Sequence, residues 1–144
     1  MKATKILLLL IFTCMFLAMK CEKDTTNCHH NLWLNNQAEK DVYAVVSFNY
    51  PDTSIPLQNP MAHQRAFVEA GQRKPIYHQS GCLENAIQDY TRNYEPKDTL
   101  IIFVFDAAEV QANWDQVRLQ YKVLKRFDYS IHELKNTNFS IDFP

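Results

Sequence analysis

Between positions 41 and 50 the chain alternates. Val42, Ala44, Val46, Phe48 and Tyr50 fall on one face, and Tyr43, Val45, Ser47 and Asn49 on the other. A period of two predicts a half-buried antiparallel strand. Positions 100–105 are apolar throughout and are bounded by Asp98-Thr99 and Asp106, which predicts a central strand covered on both faces. Positions 30–34 and 139–143 predict further strands, the latter alternating Phe139, Ile141 and Phe143 with Ser140 and Asp142. Positions 66–78 have room for two short strands around Gly71, a residue suited to a turn that needs positive φ. Pro51 stops the first strand, and Pro56 and Pro60 mark an irregular loop. Helical signals are brief. Asn113 and Gln116 have capping-box spacing ahead of a Trp114, Val117, Tyr121 stripe, and Ser130 with Glu133 repeats that spacing before Leu134. The expected fold is mainly β: a single antiparallel β-sandwich-like domain over residues 28–144, with two short helices near 113–121 and 130–136.

The N-terminal 24 residues follow a different logic. Lys2 and Lys5 precede an apolar run from Ile6 to Met19, interrupted at Thr13 and followed by Lys20-Cys21-Glu22-Lys23-Asp24. A run of about 14 residues spans about 21 Å as a helix, against about 30 Å of hydrocarbon, so it fits a signal peptide and not a membrane span. A cysteine closing such a run, with an acidic polar stretch behind it, resembles the leader of bacterial lipoproteins. Cys21-Glu22-Lys23-Asp24 looks like the starts of lipoproteins of the Bacteroidota. The resemblance implies a signal peptide over 1–20, lipidation of Cys21 as the mature N-terminus, a polar tether over 21–27, and an outer-membrane location in the cell envelope, periplasmic or surface-exposed. Lys20 departs from the small residue the family has before its cysteine, and cleavage as an ordinary secretory signal near Ala18 is the alternative.

Three further stretches, 98–107, 123–130 and 139–144, together with Trp114 and Tyr50-Pro51-Asp52-Thr53, are similar to small Bacteroidota lipoproteins of uncharacterised function. That likeness carries no catalytic residue with it. It does imply an O-glycan acceptor of the form Asp, Ser or Thr, then an apolar residue or Thr. Asp24-Thr25-Thr26 matches and offers Thr25, and Asp98-Thr99-Leu100 matches as well.

Loss of residues 1–20 removes three of the 15 basic side chains and none of the 16 acidic ones, leaving a net charge of −4. That balance argues against a nucleic-acid partner, because counterion release needs clustered Lys and Arg. Cys28 and Cys82 remain after Cys14 leaves with the leader and Cys21 takes lipid. An oxidising compartment favours their pairing, with two separate buried thiols as the other possibility. A zinc site at Cys28, His29 and His30 is disfavoured, since neighbouring side chains on an extended segment point to opposite faces.

No catalytic, metal or cofactor motif emerges. The five histidines lack ligand spacing and are expected to be solvated; with Gly71 and Gly81 alone, neither a nucleophile elbow nor a phosphate loop is available. Asp52, Asp98, Asp106 and Asp128 flank strands, where carboxylates commonly cap turns. The aromatics are the remaining resource, and Tyr77, Tyr90, Arg92 and Tyr94 form the best candidate binding surface. The expected function is a lipid-anchored envelope protein, non-catalytic, that binds an envelope protein or glycan or serves as a structural accessory. The alternative is a small envelope hydrolase using Asp and His residues from different strands.

Overall fold

The computed structural model describes residues 28–93 and 98–144. The leader, Cys21, the tether with Thr25, and Tyr94 lie outside the described residues. Among those described, no helix is long and apolar enough to cross a membrane.

The chain folds as a mainly β, sandwich-like domain of two sheets. In the smaller sheet, β1 (Asn31–Asn36) lies between β4 (Arg73–His78), antiparallel to it, and β7 (Ser140–Phe143), parallel to it. The larger sheet runs β3 (Phe67–Val68), β2 (Val42–Ser47), β5 (Thr99–Asp106), β6 (Lys125–Ser130), antiparallel throughout. Leu32, Leu34, Ile76, Ile141 and Phe143 of the small sheet meet Val42, Ala44, Leu100, Ile102 and Val104 of the large one. Helices α1 (Leu83–Thr91) and α3 (Ile131–Asn136) add Leu83, Ile87, Ile131 and Leu134 to this core. The far face of the large sheet carries Tyr43, Ile101, Phe103 and Phe105 under α2 (Ala107–Leu119), whose Trp114 stands edge-on to Phe105 at 5.2 Å. Every β5 position from Thr99 to Phe105 is buried, as its unbroken apolar run requires.

Several elements differ from expectation. The β2 strand is covered on both faces, because α2 lies over Tyr43 and Val45 while Val42 and Ala44 enter the inter-sheet core. The two short strands around Gly71 do not pair with each other; β3 joins the large sheet and β4 the small one, and Gly71, at φ +71, turns the chain between layers. One pairing, β1 with β7, is parallel. The helices number three among the described residues. Asn113 does cap Gln116, but at φ −164 and ψ 95 it marks a kink between two helical segments, the first starting at Ala107. Tyr121 lies beyond the helix, at φ 51, and is exposed instead of completing the stripe. The Ser130 capping box forms, with Glu133 accepting from Ser130 N at 2.8 Å and Ser130 Oγ accepting from Glu133 N at 3.3 Å.

Two polar junctions lock this frame. Asn36 is fully buried; its amide nitrogen donates to the carbonyls of Lys40 at 2.8 Å and Glu69 at 3.1 Å, and its oxygen accepts from Ala38 N at 3.1 Å. At the N-terminal end of β1, the Cys28 and Cys82 sulfurs lie at disulfide distance, 2.08 Å, with Cα atoms 4.9 Å apart. His29 beside it is not a solvated surface residue. Its ring stacks on Phe139 at 4.3 Å, its Nδ1 lies 2.6 Å from Glu84 Oε1, its Nε2 lies 2.9 Å from Asn138 Oδ1, and its backbone N–H donates to Glu84 Oε2 at 3.1 Å. Burial pushes the Glu84 carboxyl up, but the hydrogen bonds and charge of His29 outweigh it and hold the group below its usual value.

Three outcomes follow for stability. Replacing Cys28 and Cys82 together by Ala opens a loop with a sequence separation of 54, and the chain-entropy argument gives a loss of about 4 kcal/mol, read by urea unfolding under non-reducing conditions. Asn36→Ala strands buried carbonyls and one N–H, and is expected to cost about 3 kcal/mol in the same assay. For Glu84 the folded pKa is depressed, so its stabilisation is complete above the unfolded value of about 4.5 and is lost as pH falls through the folded one. Melting temperatures of the wild type and Glu84→Gln should therefore converge between about pH 6 and about pH 3; a gap constant across that range would show that the ionised carboxylate contributes nothing.

Candidate functional site

A concave feature with mixed apolar and polar lining lies at the open side of the sandwich. There the β2 edge of the large sheet faces the β4 edge of the small one across a cleft of about 350 Å³. Its origin is a strand that ends early. The β3 strand pairs with β2 only at Val42 and Tyr43, and the last bond of that ladder runs from Ala44 N to the Ala66 carbonyl at 2.8 Å. A turn closed by Ala66 N donating to the His63 carbonyl, at 3.0 Å, then takes the chain away from β2. Val46, one pleat beyond Ala44, turns its N–H and C=O to the same edge, because backbone groups alternate along a strand. Ala44, Val45 and Val46 line one side of the cleft and Ile76, Tyr77 and His78 the other. Pro56 and Pro60 of the irregular loop form part of the rim, where neither has an N–H to offer a strand.

The polar lining is neutral or basic: Gln58, His63, Arg65, Tyr77 and His78. His63 also borders an adjacent depression that contains Lys74, whose Nζ donates to the carbonyls of Gln64 and Phe67, each at 2.9 Å. No carboxylate side chain lines either hollow among the described residues. Three of the four strand-flanking aspartates have their carboxylates engaged elsewhere. Asp52 accepts from Ser54 N at 2.8 Å, Asp106 caps α2 through Ala108 N and pairs with Lys40 at 3.0 Å, and Asp128 forms a two-bond fork with Arg126. Asp98 sits at φ 66, its N–H donating to Thr91 Oγ1.

The predicted aromatic surface is brought together in part. Phe48 packs against Tyr77 at 5.4 Å and Tyr90 at 5.0 Å, so these two tyrosines share one cluster at the Tyr77 end of the cleft. Tyr90 is 55% exposed. Burial, and then the neighbouring Tyr90, pushes the Tyr77 hydroxyl pKa up, which keeps that hydroxyl a donor; it reaches Gln79 Oε1 at 3.4 Å. Arg92 is exposed at the end of α1, and Tyr94 lies outside the described residues. The second glycan-acceptor match is unsuited to that role, since Thr99 is 8% exposed and paired with Ser130 in the β5–β6 ladder.

Sequence reasoning did not single out Gln58, His63 or Arg65 as a group with Tyr77 and His78. Their convergence depends on where β3 ends, which no local pattern encodes. Another aromatic, the half-buried Trp33 of the small sheet, has the Arg73 guanidinium over its ring at 4.7 Å, leaving no free stacking platform. Among the described residues no group of His, Cys, Asp and Glu could hold a metal ion. No protein-family model, curated protein or solved structure matches the chain.

Proposed function

We propose that this chain is a lipid-anchored protein of the bacterial cell envelope that serves as a non-catalytic binding module. The observation that carries the binding half is the cleft between β2 and β4: an apolar floor, an aromatic cluster at one end and a basic rim, without a carboxylate among the described lining residues. Specific binding sites have this composition, an apolar concavity with a few placed polar groups. A hydrolase built from Asp and His would need a carboxylate next to His63 or His78. The carboxylates of Asp52, Asp106 and Asp128 are instead spent on a turn, a cap and a surface pair, and Asp98 lines neither hollow. The anchoring half rests on the leader, its apolar run ending at Cys21 and the polar stretch behind it. Two or more acyl chains, each contributing about 0.8 kcal/mol per buried methylene, would hold the protein at a membrane without any contact from the folded domain.

Cys21→Ser tests the anchor. In cell fractionation the variant is expected to leave the membrane fraction or to accumulate as an uncleaved precursor, and mass spectrometry of the wild type should find an acylated N-terminus at residue 21. An unmodified terminus at any other residue would overturn the lipoprotein assignment.

A further inference from the structure

We infer that the cleft takes an extended, acidic segment of a partner polypeptide, which pairs with the free edge of β2 as an added strand. The inference rests on the binding-module reading and supplies its ligand class. Two independent observations support it. The first is backbone geometry. The β2–β3 ladder ends at Ala44 N to the Ala66 carbonyl, and Val46 presents the next donor and acceptor of the same edge to the cleft. An unpaired strand edge is a template for a further strand, and proteins usually cover or blunt it. Here the covering loop turns away, and Pro56 and Pro60 on the rim cannot donate to a ladder.

The second observation is charge. Arg65, His63 and His78 line the cleft and Lys74 stands beside it, on a chain that is anionic overall. A basic lining on an otherwise acidic protein attracts carboxylates locally while the rest of the surface repels them, so it steers a carboxylate-bearing ligand to the cleft. In an added strand, side chains alternate. One set would meet the apolar floor at Val46 and Ile76, and the other would carry carboxylates to Arg65 and the histidines. The ligand is thus an extended segment of alternating apolar and acidic residues.

Fluorescence anisotropy on the full chain, as purified from the expressing cells, tests this with a labelled octapeptide alternating Val and Glu. The peptide is expected to bind. The same peptide N-methylated at alternate residues keeps its charge but loses strand pairing, and it should bind at least about tenfold more weakly. Arg65→Glu, at an exposed loop position, should weaken binding by a similar factor, whereas Arg65→Lys should retain most of it. Equal binding of the N-methylated peptide would overturn strand addition. Equal binding of a Lys-for-Glu peptide would overturn the charge selection. Binding of an oligogalacturonate in place of the peptide would overturn the polypeptide ligand while leaving a binding module standing. No binding of any probe would overturn the inference, and the anchor remains separately tested at Cys21.

Discussion

Asn36 is a side-chain amide with no exposure to solvent, placed where the chain leaves the small sheet for the large one. An amide in that position is costly unless its donors and acceptor are all met. They are met by the backbone of two separate turns, the β1–β2 connection through Ala38 and Lys40 and the β3–β4 connection through Glu69 and, at 3.3 Å, Val68. Two of the four crossings between the sheets are therefore tied to one point. Fixing Val68 and Glu69 pins the C-terminal end of β3 beside Val42, whereas the cleft opens at the opposite end of that strand, where the turn closed by Ala66 N and the His63 carbonyl leaves the β2 edge beyond Ala44 uncovered. The amide thus anchors one end of the β2–β3 pairing, and the turn at Ala66 decides how far that pairing runs toward the cleft.

Much of this was legible from pattern. Unbroken apolar character at positions 100–105 meant burial on both faces, and β5 has it. The Ser130 and Glu133 spacing meant a reciprocal cap, and both bonds form. Two elements escaped for the same physical reason. Helix α1 buries Leu83, Glu84, Ala86, Ile87 and Thr91, so two of its five inward positions are polar and its stripe does not read as apolar. Those two are tolerated because Glu84 meets His29 and Thr91 Oγ1 donates to the Ile87 carbonyl at 2.7 Å. Strand β6 is an edge strand with Lys125, Arg126 and Asp128 among its six residues; the Arg126 and Asp128 charges satisfy one another across one intervening residue. Local periodicity detects burial paid in apolar side chains. It is blind to burial compensated by hydrogen bonds and ion pairs, whether the partner is near in sequence, as for Thr91, or far, as for Glu84.

The same limit governed the cleft. Tyr77 and Tyr90 could be named in advance because aromatic residues are conspicuous in any surface-exposed stretch, and Phe48 does bring them together. His63 and Arg65 come from a loop whose path is set by the turn at Ala66 and by the prolines before it, not by periodic sequence. Even His29, one of a pair of adjacent histidines expected to be solvated, owes its role to a carboxylate 55 positions away and an aromatic ring 110 positions away.

The arrangement at Cys28 also determines how a pull on the N-terminal segment would enter the fold. That segment leads directly into β1, the middle strand of its sheet, held on both sides by ladders to β4 and β7. Load applied along the strand would meet the two ladders in shear, with their hydrogen bonds resisting together, instead of peeling an edge one bond at a time. Before it reached them, the bond to Cys82 would divert part of the tension into the start of α1, and the clasp of Glu84 on the His29 backbone and ring would share the remainder. Covalent and hydrogen-bonded reinforcement thus stands at the point where a pull on the N-terminal end of the described fold would arrive.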